Sequence, residues 1–268
     1  MLENLDYHII DKCNLNCASC NDYCPLVEPG TGEGKSIEQI TADLTLLSKL
    51  KSEFYRLNIM GGEPTLHPQL SKILRIARRI FPNNVIRLIT NGTNYNRFSQ
   101  WKDALVENNI DVTVSLYPYC KDYEERLQII KKTLEPEINV EVWSPAITDG
   151  FNYATFSNTL GLVSDDDIAN CTRRFSCPQL KDGKIYLCPL AAQFNRLKSY
   201  FKDKIKFDSD NKEYLDLNGE VTAKDFYEFI YGAKPVICEH CVGAHNHWLG
   251  PKRPWMISGK SLDEWVCE

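Results

Sequence analysis

The stretch that decides the fold is residues 7–20, which read YHIIDKCNLNCASC. It opens with a short, mostly apolar run over 7–10, which is typical of a buried strand. Cys13, Cys17 and Cys20 follow, so the strand leads directly into a loop rich in thiols. Three thiolates this close can hold three irons of a [4Fe–4S] cluster and leave the fourth iron open. A zinc site, or cysteines that only pack, would also fit this spacing.

Outward from this stretch, the chain alternates strand-like and helix-like segments as far as about residue 146. The predicted strands cover 7–10, Phe54–Met60, Val85–Thr90, 112–116 and Val140–Trp143. The predicted helices cover about 37–50, 68–80, 95–108 and 121–134. Ser36 and Gln39 form a capping box at the first helix. This α/β alternation predicts parallel βαβ units, which fit a partial (β/α) barrel or a doubly wound sheet.

A second motif, Gly61-Gly62-Glu63-Pro64, follows the second predicted strand. Paired glycines let a ligand approach the backbone closely, and we expect them to leave amide N–H groups free. The Glu63 carboxylate can pair with an ammonium group. A Gly-Gly turn of this kind is common by itself. The motif becomes a specific sequence signal when it comes after a three-cysteine loop that follows the preceding strand.

Together these motifs make the sequence similar to the radical S-adenosylmethionine (radical SAM) superfamily. A CxxxCxxC loop after strand one and GGEP after strand two are the signature of that superfamily. Asn91, in a Thr-Asn-Gly after the third strand, and Ser115, in the fourth strand, also agree with it. The resemblance covers roughly residues 5–146 and implies a partial (β/α) barrel. Ser19 departs from the pattern, because many members have an aromatic residue there that packs on adenine.

The resemblance implies that Cys13, Cys17 and Cys20 hold a [4Fe–4S] cluster whose open iron binds SAM. An electron, from a donor such as flavodoxin or ferredoxin, would cleave SAM, and the 5′-deoxyadenosyl radical would abstract a substrate hydrogen. In such barrels the site lies at the C-terminal ends of the strands. The residues that would contact SAM are Gly61, Gly62, Glu63, Asn91 and Ser115.

The chain divides into a predicted radical SAM core over 1–150 and a smaller part over 151–268. The smaller part contains a predicted β-hairpin over 171–190, which turns at Asp182-Gly183, and a helix over 193–202. The segment GKIYLCP resembles a step of the SPASM and twitch extensions, which hold auxiliary [4Fe–4S] clusters. One cysteine, Cys267, follows the CxxC pair, and this favours the twitch form with one auxiliary cluster.

Five cysteines compete for the four places around that auxiliary cluster. Cys188, Cys238 and Cys241 are the expected ligands, and Cys171 and Cys177 compete for the fourth place. Cys177 suits the hairpin, whereas Cys171 suits a longer spacing. A zinc ribbon with four cysteine ligands is the alternative, because CxxC spacing serves both.

Two further residues are candidates for a direct role in the chemistry. Cys120 follows the fourth strand, where it could donate a hydrogen atom to a substrate radical, as an epimerase requires. An inert, partly buried cysteine is the alternative. His8 lies on the first strand and could act as acid or base inside the barrel, or it could be a core histidine with satisfied hydrogen bonds.

Composition limits the remaining possibilities. The chain has 268 residues, 11 cysteines and a net charge of −5, which indicates a globular protein and favours no nucleic-acid or membrane partner. Its start, MLENLDYHII, lacks the basic and apolar regions of a secretory signal. No stretch approaches the roughly 18 apolar residues of a membrane span. We therefore expect a cytoplasmic protein with reduced thiols.

The predicted function is a radical SAM oxidoreductase that removes two electrons from a substrate and passes one to the auxiliary cluster. Dehydrogenation of a sugar or cyclitol-like small molecule is the first expectation, since the sequence shows no separate peptide-recognition domain. The wider pattern, ending in SGKSLDEW, resembles radical SAM proteins often predicted beside sugar or polysaccharide genes, which implies architecture more than substrate. A peptide-modifying maturase or an epimerase is the alternative within the family. The alternative from another class is a non-enzymatic iron–sulfur or zinc module for electron transfer or partner binding.

Overall fold

The computed structural model describes residues 1–117, 122–144, 156–159, 163–209, 213–242 and 255–267. Its centre is an eight-stranded sheet in the order β5-β4-β3-β2-β1-β7-β8-β9, and β10 pairs separately with β6. Strands β1 to β5 are parallel. The strands are β1 (Leu2–His8), β2 (Phe54–Met60), β3 (Val85–Thr90), β4 (Ile110–Ser115), β5 (Val140–Trp143), β6 (Phe156–Ser157), β7 (Gln179–Lys181), β8 (Lys184–Tyr186), β9 (Tyr214–Asp216) and β10 (Val266–Cys267).

All four predicted helices of the first half are present, and the capping box of Ser36 and Gln39 is confirmed. None of the helices in the described residues is long and apolar enough to cross a membrane. The helices are α1 (Ile37–Leu47), α2 (Leu70–Ile80), α3 (Ser99–Glu107), α4 (Tyr123–Leu134), α5 (Asp165–Ala169), α6 (Thr172–Ser176), α7 (Pro189–Phe201), α8 (Ala223–Gly232) and α9 (Val236–Glu239).

The helices α1 to α4 lie on one side of the parallel sheet. Each contacts the next in chain order, and their apolar sides pack with Ile86 and Leu88 of β3 in one core. The opposite face of the strands carries polar residues, such as Asp6 and His8 on β1 and Asn58 on β2. In a doubly wound sheet the helices that connect the parallel strands lie on both faces. The arrangement therefore confirms the partial (β/α) barrel.

The predicted hairpin extends the same sheet. Strand β7 joins β1 in parallel, and β8 and β9 continue antiparallel. Asp182 and Gly183 both have positive φ, 50° and 70°, as a two-residue type I′ turn requires. The predicted helix after the hairpin is confirmed as α7 and begins earlier, because Pro189 suits a first helical position. Strand β9 was not predicted from the sequence, because three residues of polar and apolar kinds are too few to show a periodic pattern.

Candidate active site

The GGEP turn is bonded to the segment that leads into the cysteine loop. The Gly62 N–H donates to Ile10 O at 2.7 Å, and the Glu63 N–H donates to Lys12 O at 2.9 Å. The prediction that the glycine amides are free is therefore wrong for Gly62. A Cβ would lie 2.4 Å from Ile10 O at Gly61 and 2.3 Å from Lys12 O at Gly62. The glycines are required because two backbone segments pack here at close range.

Glu63 joins the turn to the end of β3. Its carboxylate is fully buried. Oε1 accepts hydrogen bonds from Thr65 N at 3.0 Å, from the Thr65 hydroxyl, and from Thr90 Oγ1 at 2.7 Å. Oε2 accepts from Asn91 N at 2.8 Å. Within the described part of the chain, Oε2 therefore accepts fewer hydrogen bonds than Oε1. Burial raises the pKa of Glu63, and the hydrogen bonds of Thr65, Asn91 and Thr90 act against that rise.

Cys13, Cys17 and Cys20 come together beside Glu63. Burial is the main cause that raises the pKa of Cys13, and the charges of Cys20, Glu63 and Cys17 raise it further. Burial also raises the pKa of Cys17 to about 12. A hydrogen bond with Cys24 lowers the pKa of Cys20. Most of these thiols would stay protonated at neutral pH, whereas a bound cation deprotonates coordinating thiols. This donor set suits a metal cluster.

The spacing of the thiols also bears on the kind of metal group. Among the described residues, no three His, Cys, Asp or Glu side chains converge where they could hold a single metal ion. A structural zinc site needs four ligands around one ion. In a [4Fe–4S] cube each cysteine ligates a different iron. The three cysteines of this loop are the donor set of such a cube, in which the fourth iron takes another ligand.

Asn91 and Ser115 lie at the C-terminal ends of β3 and β4. The Asn91 amide donates to Asn14 Oδ1 at 3.0 Å and to Cys13 Sγ at 3.8 Å, so it holds the cysteine loop in place. Ser115 is 7% exposed. Tyr117, two residues farther along, was not predicted from the sequence. Its pKa is raised by burial and by the charges of Cys17, Cys20 and Cys13. Its position just beyond the C-terminal end of β4 was the sequence signal that could have identified it as a candidate site residue.

The C-terminal cysteines meet in a second place. A cavity between α5, α6, α7 and α9 is lined by four of the five predicted ligands, namely Cys171, Cys188, Cys238 and Cys241. Burial raises the pKa of Cys188 to about 12 and also raises that of Cys238. Of the five predicted auxiliary-cluster ligands, all of them described, only Cys177 does not line this cavity. Its Sγ donates to Arg173 O at 3.4 Å.

Two arginines of α6 also line this cavity. Burial lowers the pKa of the Arg173 guanidinium, but the charges of Cys177, Cys188 and Cys241 outweigh it, so the net shift is upward. Arg174 donates from its guanidinium to Ile230 O at 2.7 Å, to Ile168 O at 2.9 Å and to Ala233 O at 2.9 Å. Arg174 therefore ties α6 to its neighbours, whereas Arg173 adds positive charge beside the thiols.

His8 lies at the end of β1 on the polar face, and it is 2% exposed. Its Nδ1 is 3.2 Å from Asp11 Oδ1, and its Nε2 is 3.5 Å from Asp22 Oδ1. Arg196 holds the other oxygen of Asp11 at 2.7 Å. Burial raises the pKa of Asp11, but His8 and Arg196 outweigh this effect and lower it. The other candidate for direct chemistry, Cys120, lies outside the described residues.

Comparison with known proteins identifies the family. Residues 7–162, more than half of the chain, match the family model described as the radical SAM superfamily. The chain is 26% identical over 169 residues to a probable GTP 3′,8-cyclase of Methanococcus aeolicus, covering 61% of this chain and 54% of that protein. It therefore spans about half the length of that relative.

Two solved structures are also similar to the chain. The structure of BtrN in complex with AdoMet and 2-DOIA has a TM-score of 0.49 and 15% identity, covering 78% of this chain and 83% of that chain. The structure of Streptococcus suis SuiB bound to precursor peptide SuiA has a TM-score of 0.37 and 13% identity, covering 78% and 65%. On the family match over residues 7–162, the chain belongs to the radical SAM superfamily.

Proposed function

We propose that Cys13, Cys17 and Cys20 hold the [4Fe–4S] cluster of this radical SAM enzyme. We also propose that the enzyme oxidises a small molecule by two electrons. When bound, the cluster and SAM supply a 5′-deoxyadenosyl radical that abstracts a hydrogen atom from the substrate. The observation that carries the proposal is the bonded junction of the GGEP turn with the segment before Cys13. This junction supports the proposal because it joins the Glu63 turn to the residue before Cys13, whose thiol feels the Glu63 charge.

The residues around this junction have distinct tasks. Among the described residues, Glu63 Oε2 accepts fewer hydrogen bonds than Oε1, so it is the oxygen better suited to the ammonium group of SAM. Thr90 and Asn91 fix the orientation of that carboxylate by hydrogen bonds. Asn91 also holds the cysteine loop, and Ser115, the last residue of β4, would contact SAM from the neighbouring strand end. Gly61 and Gly62 act through backbone packing, which keeps the turn against the cysteine loop.

An auxiliary [4Fe–4S] cluster of the SPASM or twitch type is the second part of the proposal. Cys188, Cys238, Cys241 and Cys171 line one cavity, and this favours Cys171 over Cys177 as the fourth ligand. A cube closed by four cysteines carries electrons, so it would accept the second electron of the oxidation. Arg173 supports this assignment, because its positive charge offsets that of an anionic cluster.

The polar inner face of the barrel favours a small molecule with several hydroxyl groups, such as a sugar or cyclitol. Asn58 donates to Asp6 Oδ1 at 2.8 Å, and Gln193 donates to Gln179 Oε1 at 3.0 Å beside His8. Oxidation of an alcohol carbon also requires loss of the hydroxyl proton. His8 would accept that proton, because its imidazole lies on this face, with Nδ1 3.2 Å from Asp11 Oδ1 and Nε2 3.5 Å from Asp22 Oδ1.

The expected partners follow from the chemistry. The low-potential electron would come from a donor such as flavodoxin or ferredoxin. All ten described cysteines are free thiols, which suits a reducing cytoplasm. Peptide modification and epimerisation remain the alternative reactions, and GTP is a further substrate to test because of the cyclase relative.

The test is SAM cleavage by anaerobically reconstituted protein with dithionite. We expect 5′-deoxyadenosine from the wild type and from Cys177→Ala, the matched control, and none from Cys13→Ala. Deuterated polyols, peptides and GTP are then offered as substrates. Deuterium transfer from a polyol to 5′-deoxyadenosine supports the proposal. Transfer from peptides or GTP alone replaces the proposed substrate class, and absence of SAM cleavage in the wild type refutes the proposed activity.

A further inference from the structure

The C-terminal segment 255–267 lies along the cysteine loop. Ala18 N donates to Met256 O at 2.9 Å, and Ser258 N donates to Asn16 O at 2.7 Å. Cys17 forms an antiparallel bridge with Ile257 between these two bonds. The end of the chain therefore pairs, residue by residue, with the loop that carries the proposed SAM-cluster ligands.

A second set of contacts anchors this segment. Trp265 is fully buried, and its indole N–H donates to Cys20 O at 3.0 Å. The Trp265 ring packs edge-on against Tyr23, with 6.3 Å between ring centroids. The Ser19 hydroxyl donates to Glu264 O at 2.7 Å. Ser19, which departs from the family pattern, thus binds the C-terminal segment, and an aromatic side chain at this position would lack the hydroxyl for that bond.

Within this paired segment, Trp255 reaches a sulfur atom. Its indole Nε1–H donates to Cys17 Sγ at 3.0 Å. The other two sulfurs also have polar neighbours, since the Asn91 amide donates to Cys13 Sγ and Cys24 bonds Cys20. Trp255 differs from these neighbours because it comes from the opposite end of the chain, 238 positions away.

We propose that Trp255 is a positioning residue that raises the reduction potential of the SAM-binding cluster through its bond to Cys17. Reduction adds negative charge to the cluster and its thiolates, and an N–H donor stabilises that charge. Hydrogen bonds to the sulfurs are one of the factors that set the potential of an iron–sulfur cluster. This inference rests on the proposed function, because it requires Cys17 to be a ligand.

The position of Trp255 gives this bond a wider consequence. The indole reaches Cys17 because the backbone pairs of Met256 and Ser258 hold the segment on the loop. The same backbone pairing therefore holds both the cysteine loop and the residue that donates to its Cys17 sulfur.

The test is a redox titration of the reconstituted full chain, followed by electron paramagnetic resonance. The SAM-binding cluster is identified as the one whose signal changes when SAM is added. We expect Trp255→Phe to shift the midpoint potential of that cluster to a more negative value. Trp255→His should have the wild-type midpoint potential, because the imidazole ring places a nitrogen donor where indole has Nε1. Trp265→Phe is the matched control, since its N–H bonds a carbonyl oxygen.

Each outcome of this redox titration either supports or overturns the inference. An unchanged potential in Trp255→Phe, with the cluster intact, overturns the inference, as does an equal shift in Trp265→Phe. If Trp255→Phe fails to hold the cluster, a wild-type potential in Trp255→His supports the role of the N–H. Loss of the cluster in both variants overturns it, because shape alone then explains the residue. A wild type with no SAM-responsive signal instead refutes the proposed function.

Discussion

Replacing Gly62 with alanine should disrupt the junction between the GGEP turn and the cysteine loop. The added Cβ would stand 2.3 Å from Lys12 O and 2.6 Å from Asp11 O. Both are backbone atoms, so no rotamer change relieves the clash. Cβ contacts under 3.0 Å are essentially never seen, so the two segments must separate by at least the 0.7 Å that is missing.

The cost follows from that separation. Overpacking of a tight contact costs about 1–3 kcal/mol. The Gly62 N–H to Ile10 O and Glu63 N–H to Lys12 O bonds would weaken together, at about 1 kcal/mol each. We therefore expect a loss of roughly 3–5 kcal/mol, which lowers the melting temperature by about 5–10 °C. Because Cys13 directly follows Lys12, iron occupancy at the SAM-binding cluster should fall as well.

The assay is thermal unfolding of the anaerobic protein, with iron measured on the same samples. Gly219→Ala is the matched control, because an added Cβ there meets nothing within 4 Å. The account expects wild-type melting and iron content from the control and a loss of both from Gly62→Ala. Equal melting temperatures and equal iron in the two variants would refute the argument that glycine is needed for backbone packing.

Three further predictions concern buried groups. Burial raises the pKa of Asp6 from 3.8 to about 7. Between these two pH values the folded protein keeps a proton on Asp6 that the unfolded chain releases. The free energy of unfolding therefore falls as pH rises from 3.8 to about 7. Asp6→Asn should therefore gain in melting temperature over the wild type between pH 5.5 and 8, and no gain would contradict this. Cys171→Ala should lose about four irons per chain whereas Cys177→Ala keeps them, and the reverse result would make Cys177 the ligand. Arg173→Gln should lower the potential of the auxiliary cluster in a redox titration, whereas Arg173→Lys retains it; equal potentials in both variants would exclude a charge effect.

The first half of the fold could be predicted because its signals are local. The apolar spacing of Ile40 and Leu44 locates α1, and the bounds of β2 and β3 follow from short apolar runs. The choice of a partial barrel over a doubly wound sheet needed the structure, since it depends on which face of the sheet the helices cover. Periodicity within one helix does not contain that information.

The candidate site was predictable in its residue types and less so in its contacts. The order of the cysteine loop and GGEP pointed to one site, but not to the backbone packing that makes Gly62 necessary. Cys171 and Cys177 flank α6, so only the placement of that helix decides which one faces the cavity. The contact of Trp255 with Cys17 had no sequence signal, because it joins distant segments through one hydrogen bond.

The central claim, that the two ends of the chain hold two separate clusters and that one of them cleaves SAM, is tested most directly by counting iron. The measurement compares the wild type with Cys13→Ala/Cys17→Ala/Cys20→Ala, with 5′-deoxyadenosine assayed on the same samples. The account predicts about eight irons per chain in the wild type and about four in the variant, which forms no 5′-deoxyadenosine. About four irons in the wild type, or SAM cleavage by the variant, would contradict it.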